Sequence, residues 1–251
     1  MNEKKISIIT VCYNAQETIQ YTIDSVLSQQ YSNFEYIIID GQSTDMTCSI
    51  LSSINNPKFK YISEPDEGIY DAMNKALGIA SGDFLIFLGA DDLFYSDKVL
   101  LDVVPFLKKQ DVVYYGDVLL KRGRNLYDGK FSRWKFGYKN ICHQSVFYPK
   151  GIYKSHLYDK DYRLVADWVY NLQLLKEGIK FVYINNIVAI YNNEDGASSS
   201  NSDIKFLNEK NILIISSVGL LPYYNGLIVK ALNKCMASLK NNWLKLKNEV
   251  L

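Results

Sequence analysis

The chain carries the stretch FLIFLGADD at residues 84–92, in which five apolar residues lead through Gly89 and Ala90 to two adjacent aspartates. A short, uninterrupted apolar run of this kind is typical of a strand that is buried on both faces of a sheet. Asp91 and Asp92 then lie at the carboxyl end of that strand, the edge at which open α/β sheets bind ligands. Because adjacent carboxylates repel each other, the pair indicates a site for a divalent cation or for the hydroxyl groups of a polyol.

The first hundred residues repeat the same alternation of strand and helix. The pattern predicts strands at residues 6–12, 34–40 and 59–62 and a fourth ending at 88, with helices at about 15–29, before Pro57 and at about 68–80. Asn14 is the expected N-cap of the first helix, and Ser43 or Thr44 that of the second. Repeated β-α-β units of this length imply a parallel sheet with right-handed crossovers.

After residue 92 the alternation weakens. The pattern predicts a helix capped by Ser96 and reaching about Leu107, a strand at 112–120, a loop or hairpin at 121–140, a helix at 166–176 and strands at 180–184 and 187–191. Residues 192–202 are small and polar, which predicts a loop. From residue 203 the chain is expected to be helical, with a break at Pro222.

Composition excludes several classes of protein. The 251 residues suffice for one large domain or a domain with an appendage, and the net charge of +1 gives no bulk attraction for nucleic acid. The four cysteines form no C-x-x-C pair, so we expect a reducing compartment rather than a disulfide framework. Because no run of about 18 apolar residues and no signal-peptide core occurs, the sequence predicts a cytoplasmic protein without a membrane-spanning helix.

Three further stretches resemble the family 2 glycosyltransferases: ISIITVCYN at residues 6–14, SVLSQ at 25–29 and IIDGQSTD at 38–45. EPDEGIYDAMNK at residues 64–75 is similar to the bacterial polysaccharide-synthesis branch of that family. The resemblance covers roughly residues 5–195 and implies the GT-A fold, an α/β fold with a mostly parallel, Rossmann-like sheet flanked by helices. It implies a GT-A domain at 1–202, with a nucleotide-binding half at about 1–95 and an acceptor half at about 96–202, and a helical C-terminal extension at 203–251.

The resemblance also implies a reaction: inverting transfer of a hexosyl or N-acetylhexosaminyl group from a nucleotide-diphosphate sugar, a UDP-sugar by preference, with Mn²⁺ or Mg²⁺. A hard cation held by carboxylates and phosphates neutralises the departing diphosphate. Asp92 matches the last acid of the family's D-x-D-like motif, although this chain has GADD there, and is the expected metal ligand. Asp91 would then face the ribose hydroxyls, and Asp40 would accept a hydrogen bond from the uracil ring.

Other residues are expected at the donor nucleotide because of the same resemblance. Thr10 lies in the first strand, Tyr13 and Asn14 follow it, and the 64–75 motif brings Asp71 and Lys75 near the base and sugar. The last two also have an ordinary interpretation, since residues four apart on a helix form ion pairs worth only a few tenths of a kcal/mol.

Inverting transfer needs a base for the acceptor hydroxyl, and Asp167 resembles the family's late catalytic acid. The usual Glu-Asp pair is Ala-Asp here, and an acid at the start of a helix is equally favoured as a cap that complements the helix dipole. Trp168 is expected to stack on an acceptor sugar or to belong to the core. His143 and Gln144 are expected to bind phosphate or acceptor or, for the histidine, to ligate the metal, while a structural role remains the alternative.

Lysines 230, 234, 240, 245 and 247 alternate with apolar residues in the tail, as in a basic amphipathic helix. Such a helix lies on a membrane surface, packs on its own domain or joins a homodimer. The expected location is therefore the cytoplasm or the inner face of the cell membrane. The expected partners are the donor and a saccharide or polyprenyl-diphosphate-linked acceptor, with no nucleic acid.

The same alternation of strands and helices also occurs in proteins of other functions. A dinucleotide-binding oxidoreductase would need a G-x-G-x-x-G motif after a strand, and the sequence has none. A non-catalytic nucleotide-sugar-binding or scaffold subunit with a decayed site stays as the alternative, although intact Asp40, Asp91, Asp92 and Asp167 argue against decay.

Overall fold

The computed structural model describes residues 3–127, 129–194 and 203–249. Within the last helix, the side chains of residues 237, 238 and 240–249 lie outside the described part, as do residues 195–202 of the predicted loop. Three of the tail lysines named above, 240, 245 and 247, are among those side chains.

Eight strands form one sheet: β1 (Ile6–Cys12), β2 (Phe34–Asp40), β3 (Phe59–Ser63), β4 (Phe84–Phe87), β5 (Leu93–Phe94), β6 (Val112–Leu120), β7 (Val146–Pro149) and β8 (Lys180–Tyr191). The helices are α1 (Ile19–Leu27), α2 (Thr47–Ser53), α3 (Ile69–Ile79), α4 (Val99–Val103), α5 (Lys150–Tyr153), α6 (Ala166–Lys176), α7 (Ile204–Val218) and α8 (Leu220–Glu249). Short 3₁₀ turns occur at Val104–Phe106, Lys135–Gly137 and His143–Ser145.

The strand order is β3-β2-β1-β4-β7-β6-β8-β5. Strands β1 to β4 are parallel, and Cys12 pairs with Asp40, so that β1 and β2 end at the same level. Strand β7 runs antiparallel to β4 and β6, whereas β6 and β8 are parallel. The predicted α/β architecture with a mostly parallel amino-terminal sheet is confirmed, and the antiparallel insertion of β7 was not predicted.

Helices cover both faces of the sheet, as the alternation of β1 shows. Ile8 belongs to the apolar cluster formed with α1, α2 and α4, whereas Ile9 belongs to the cluster formed with α3, α6 and α7. Because both faces of these strands are buried, their sequences are nearly continuous apolar runs. The carboxyl ends of the strands remain as the open edge of the sheet.

The predicted caps of the first two helices are wrong. Asn14 lies five residues before α1 with φ of 50°, and its Oδ1 accepts a hydrogen bond from the Thr44 backbone N–H at 2.9 Å. Helix α2 begins at Thr47, and the Ser43 hydroxyl donates to the Asp40 carboxylate instead of capping it. Both side chains therefore fix the loop after β2 rather than a helix.

Three other boundaries also differ from prediction. The helix expected to reach Leu107 gives way to a 3₁₀ turn around Pro105, and β8 is a single strand in which a register shift opposite Gly116 replaces the expected break. The C-terminal helices separate at Gly219, whose φ is +91°, rather than at Pro222. Proline is tolerated there because it lies in the first turn of α8, where its missing N–H would have no partner.

The C-terminal helices pack on the domain through a few aromatic and small residues. Phe206 of α7 contacts Trp168 of α6 with ring centroids 5.0 Å apart. A Cβ on Gly226 of α8 would lie 2.6 Å from the Trp134 carbonyl oxygen, so the two backbones approach closely. Over the described residues, no helix has the length and apolar character that crossing a bilayer requires.

Candidate active site

A cleft of about 830 Å³ opens at the carboxyl ends of β1 and β4 and is closed on the other side by the starts of α3 and α6. This is the edge at which parallel α/β sheets bind ligands. The cleft brings together seven of the residues predicted from sequence: Tyr13, Asp91, Asp92, His143, Gln144, Asp167 and Trp168.

The Asp92 carboxylate, on the β4 side of the cleft, is held by three N–H donors. Its Oδ2 accepts from the Gln144 side chain at 2.7 Å and from the Gly89 backbone at 3.1 Å, and its Oδ1 accepts from the Asn192 backbone at 2.8 Å. The Thr22 hydroxyl donates to the backbone carbonyl oxygen of Asp92 at 2.9 Å. A Cβ on Gly89 would lie 2.4 Å from Oδ2, so this arrangement requires glycine there.

The electrostatics of the acidic pair favour a positive partner. Burial, and then the negative charge of Asp91, raise the pKa of Asp92 to about 6, although the hydrogen bonds from Asn192 and Gln144 work to lower it. Asp91 is less buried, and its Oδ2 accepts from the Asn192 side chain at 2.9 Å. A cation beside the two carboxylates would remove the repulsion that raises this pKa.

The donor set fits a hard divalent cation that the protein and a ligand hold together. Over residues 3–127, 129–194 and 203–249, no three acidic, histidine or cysteine side chains form a self-sufficient metal cage. Mg²⁺ in proteins commonly takes only one or two carboxylates and completes its shell with water and substrate phosphates. Asp91 and Asp92 meet that requirement.

A second acid, Asp167, lies in the first turn of α6 and faces the same cleft. Its Oδ1 accepts from the Tyr70 hydroxyl at 3.0 Å, and its Oδ2 accepts from the Asn140 side chain at 2.9 Å and lies 3.4 Å from His143 Nδ1. Both oxygens thus bond side chains from other segments, which differs from the capping role considered above. Burial, and then the charge of Asp167, raise the pKa of Tyr70 well above its ordinary value, which keeps this phenol a neutral donor.

The groups around Asp167 are themselves fixed. The Asn140 Oδ1 accepts from the Asn171 side chain at 2.9 Å, and the Asn171 Oδ1 accepts from the Tyr148 hydroxyl at 2.8 Å. This series of hydrogen bonds extends from the cleft into the core between α6 and β7. Because each member is held by the next, the Asp167 carboxylate has a single orientation.

His143 and Gln144 connect the two acidic centres. Gln144 donates to Asp92, while His143 pairs with Asp167. Burial works to lower the pKa of His143, but the hydrogen bond and charge of Asp167, with the charges of Asp92 and Asp91, raise it above its ordinary value. The two neighbours thus set the spacing between the Asp91–Asp92 pair and Asp167.

Asp40 and Thr10, both predicted at the nucleotide, are buried beneath the cleft rather than lining it. Asp40 accepts hydrogen bonds from the Ser43 hydroxyl and backbone, the latter at 3.0 Å, and from the Ser63 hydroxyl at 2.6 Å. Burial works to raise the pKa of Asp40, but these bonds lower it overall. The Thr10 hydroxyl bonds the Tyr36 hydroxyl at 3.0 Å.

Asn14, Asp71 and Lys75 lie outside the cleft lining as well. Asp71 is 2.9 Å from Lys160 Nζ and 3.4 Å from Lys75 Nζ, so the ordinary ion pair considered from sequence is present. Asn14 supports the loop after β2, next to Tyr13, which does line the cleft and is largely exposed. Contacts of all five residues with a nucleotide stay predictions.

The cleft residues that were missed from sequence include Tyr70, Asn140, Arg163 and Asn192. Arg163 is exposed and brings a positive charge to the same wall as Asp167. Its position four residues before Asp167 was the one available signal. The others act through contacts that are distant in sequence, such as the 101 residues between Asn192 and Asp91.

Comparisons with known proteins identify glycosyltransferases as the relatives of this chain. The sequence model described as glycosyl transferase family 2 matches residues 7–172. The PGL/p-HBAD biosynthesis glycosyltransferase of Mycobacterium bovis is 33% identical over 210 residues, which cover 80% of this chain and 82% of that protein. The Escherichia coli UDP-Glc:alpha-D-GlcNAc-diphosphoundecaprenol beta-1,3-glucosyltransferase WfaP is 31% identical over 246 residues, covering 89% and 94%.

Solved structures share the fold. Staphylococcus aureus TarS 1–349 in complex with UDP-GlcNAc superposes with a TM-score of 0.69 at 18% identity, over 84% of this chain and 66% of TarS 1–349. The mannosyltransferase PcManGT of Pyrobaculum calidifontis, in complex with GDP-Man and Mn²⁺, gives 0.67 at 16% identity, over 95% and 81%. The chain thus spans about two thirds of TarS 1–349.

Proposed function

The chain belongs to the family 2 glycosyltransferases, with their GT-A fold, and from this premise we propose that it moves a hexosyl or N-acetylhexosaminyl group from a UDP-sugar to a lipid-linked saccharide. The product would be part of a surface polysaccharide or glycolipid. In support, the Escherichia coli relative is named for a UDP-Glc donor and a diphosphoundecaprenol-linked acceptor, and TarS binds UDP-GlcNAc. The catalytic domain would be residues 1–202, with the donor at about 1–95 and the acceptor at about 96–202, and 203–251 an extension.

One observation carries the proposal: a single cleft has an acidic pair on one wall and a separately held carboxylate on the other. Transfer of a glycosyl group needs both features. The negative diphosphate must be stabilised as it leaves, and the attacking hydroxyl must lose its proton. Asp91 with Asp92 supports the first requirement, and Asp167 the second.

Asp92 and Asp91 would hold Mn²⁺ or Mg²⁺ together with the donor diphosphate. The Mn²⁺ in the PcManGT complex supports a divalent cation in this fold. The cation would act as a Lewis acid that neutralises charge on the departing nucleoside diphosphate. The protein's own part is to keep Asp92 fixed through Gly89, Gln144 and Asn192.

Asp167 is the proposed base of an inverting reaction. Its carboxylate takes the proton of the acceptor hydroxyl as that oxygen bonds the anomeric carbon, and the bond from the anomeric carbon to the diphosphate oxygen breaks on the opposite face. Tyr70 and Asn140 orient the carboxylate, which such a step requires before the substrates arrive. A base and a leaving group on opposite walls suit inversion in one step.

The other predicted residues divide between the two substrates. Tyr13, directly after β1, is assigned to the nucleobase, and Arg163, which was not predicted from sequence, to a phosphate of donor or acceptor. Asp40, Thr10, Asn14, Asp71 and Lys75 support the donor end from behind the cleft lining. Trp168 and His143 are assigned to the acceptor side, where the Trp168 Nε1 is buried and lacks a hydrogen-bond partner among the described residues.

Turnover of UDP-sugars by the purified protein tests the proposal. We expect release of UDP that depends on Mn²⁺ or Mg²⁺, loss of turnover in Asp92→Asn, and loss of turnover with unchanged UDP affinity in Asp167→Asn. Asp102→Asn, at an exposed acid on α4, is the matched control and should behave as wild type. Full turnover in excess chelator would refute the cation, and full turnover of Asp167→Asn would refute the base.

A further inference from the structure

The C-terminal helix α8 presents an exposed apolar stripe. Its members recur every three or four residues and are each between 55% and 77% exposed: Leu221, Tyr224, Ile228, Leu232, Met236 and Leu239. Residues at this spacing share one side of a helix. Helix α7 adds Ile204, Leu207 and Ile212, which are also exposed. Soluble monomers rarely leave this many large apolar side chains uncovered on neighbouring helices.

The stripe is not the face by which α8 packs on its own domain. Tyr223 and Gly226 make that contact: both are buried, and the Tyr223 hydroxyl donates to Asn211 of α7 at 2.8 Å. Leu232 and Met236 lie one to two turns beyond Val229, which borders the domain, and every described side chain from residue 230 onward is exposed. The apolar stripe is therefore available to a partner.

Charge decides which partner it is. Residues 220–248 contain five lysines and no acidic residue, and the two lysines whose side chains are described, Lys230 and Lys234, are exposed. At 3.6 residues per turn, Lys230 and Lys234 lie on the side of α8 opposite the apolar stripe, so that the helix has one apolar face and one basic face. This is the pattern of helices that lie in the interface of a membrane. An anionic lipid surface complements both the apolar stripe and the lysines. We propose that the exposed face of α7 and α8 docks on an anionic phospholipid bilayer.

The helix that carries the docking face packs, through its other side, next to the acceptor side of the cleft. Tyr138 lines the cleft and stacks on Trp134, with ring centroids 6.0 Å apart, and the Trp134 backbone contacts Gly226 of α8. A groove of about 500 Å³ between this segment and α8 is lined by Lys130 and Lys135 among others, cations suited to lipid phosphate. Docking would thus bring the bilayer beside the site for a lipid-linked acceptor, a use of this surface that rests on the proposed function.

Vesicle co-sedimentation of the full chain tests the docking surface without reference to activity. The probes are phosphatidylcholine vesicles with and without phosphatidylglycerol. We expect binding only with phosphatidylglycerol, weakened in high salt. Leu232→Glu and Met236→Glu should each reduce the partition coefficient at least about tenfold, since each removes a large apolar side chain that docking would bury in the bilayer. Lys230→Gln with Lys234→Gln should reduce it about 25-fold, at about fivefold for each lysine.

Leu101→Glu is the matched control, because Leu101 is an exposed leucine on α4, away from these helices. Absence of binding to phosphatidylglycerol vesicles, or undiminished binding by the α8 variants, would overturn the proposal. So would a dimer of the wild-type chain that Leu232→Glu converts to monomer in light scattering, which would assign the stripe to a second copy. Mn²⁺-dependent release of UDP from a soluble donor should be unchanged in the α8 variants. If the wild-type protein itself releases no UDP, the proposed catalytic function fails, and this result is independent of vesicle binding.

Discussion

Replacing Gly89 by alanine tests whether the position of the Asp92 carboxylate controls activity. The new Cβ would lie 2.4 Å from Asp92 Oδ2 and 3.1 Å from Asp91 Oδ1. To reach an ordinary contact of 3.4 Å, Oδ2 must retreat by about 1 Å. Misplacement of a catalytic group by about 1 Å costs on the order of 100-fold in rate, so kcat/KM should fall by about that factor.

The same change should lower stability by a smaller amount. Oδ2 would lose one of its charge-assisted hydrogen bonds, from Gly89 at 3.1 Å or Gln144 at 2.7 Å. Such a bond contributes about 1.5–3 kcal/mol to the free energy of unfolding. Alanine also lowers the conformational entropy of the unfolded chain, which offsets up to about 1 kcal/mol of this loss. The net loss of about 1–2 kcal/mol should lower the Tm by about 2–8 °C in a domain of this size.

Gly78→Ala is the matched control, since a Cβ at this exposed position of α3 would meet no atom within 4 Å. It should keep wild-type kcat/KM and gain about 0.5–1 kcal/mol, because alanine is the better helix former. The assays are UDP release at saturating Mn²⁺ and thermal unfolding. A Gly89→Ala enzyme with kcat/KM within twofold of wild type and an unchanged Tm would refute the reasoning.

Two further predictions concern the acids of the cleft. Tyr70→Phe removes the hydroxyl that donates to Asp167 Oδ1 at 3.0 Å. The variant should have a kcat about tenfold lower than wild type and an unchanged affinity for UDP in calorimetry. An unchanged kcat would exclude a positioning role for Tyr70. In the absence of a cation, folding raises the pKa of Asp92 from 3.8 to about 6, so protonated Asp92 favours the folded state. This contribution to the free energy of unfolding is complete below pH 3.8. It is lost as the pH rises through 6, by up to about 3 kcal/mol. Asp92→Asn should therefore flatten the pH dependence of Tm between pH 4 and 6, relative to wild type and to the control Asp102→Asn. Mn²⁺ with UDP should flatten the same dependence in wild type. Parallel pH profiles of Tm for all three proteins would contradict this assignment of the pKa.

Local sequence patterns sufficed for the amino-terminal sheet and for the placement of its acids. Buried parallel strands are nearly continuous apolar runs, so β1, β2 and β4 could be read directly, and the acids after β4 had to lie at the open edge. Helix α6 was also predicted with its bounds, which put Asp167 in the first turn. In these segments the local pattern and the tertiary environment agree.

The rest depends on contacts that no local pattern encodes. Strand β7 has four residues and ends in Pro149, too short for any alternation to distinguish a strand from a loop. Tyr70 and Asp167 are 97 residues apart, and only the packing of α3 against α6 brings them together. The saturation of Asp40 by Ser43 and Ser63 is likewise a tertiary result, which left the residue looking like an open acceptor in the sequence.

The acids at the end of β4 are central to the proposed reaction, and an anomalous difference map tests them most directly. Crystals grown with UDP and Mn²⁺ should show a manganese peak about 2.1 Å from a carboxylate oxygen of Asp91 or Asp92, in contact with the diphosphate. The uridine should lie toward Tyr13, within the cleft that also contains Asp167. A map in which UDP is bound while the manganese lies away from both aspartates, or in which UDP occupies another surface, would contradict the account.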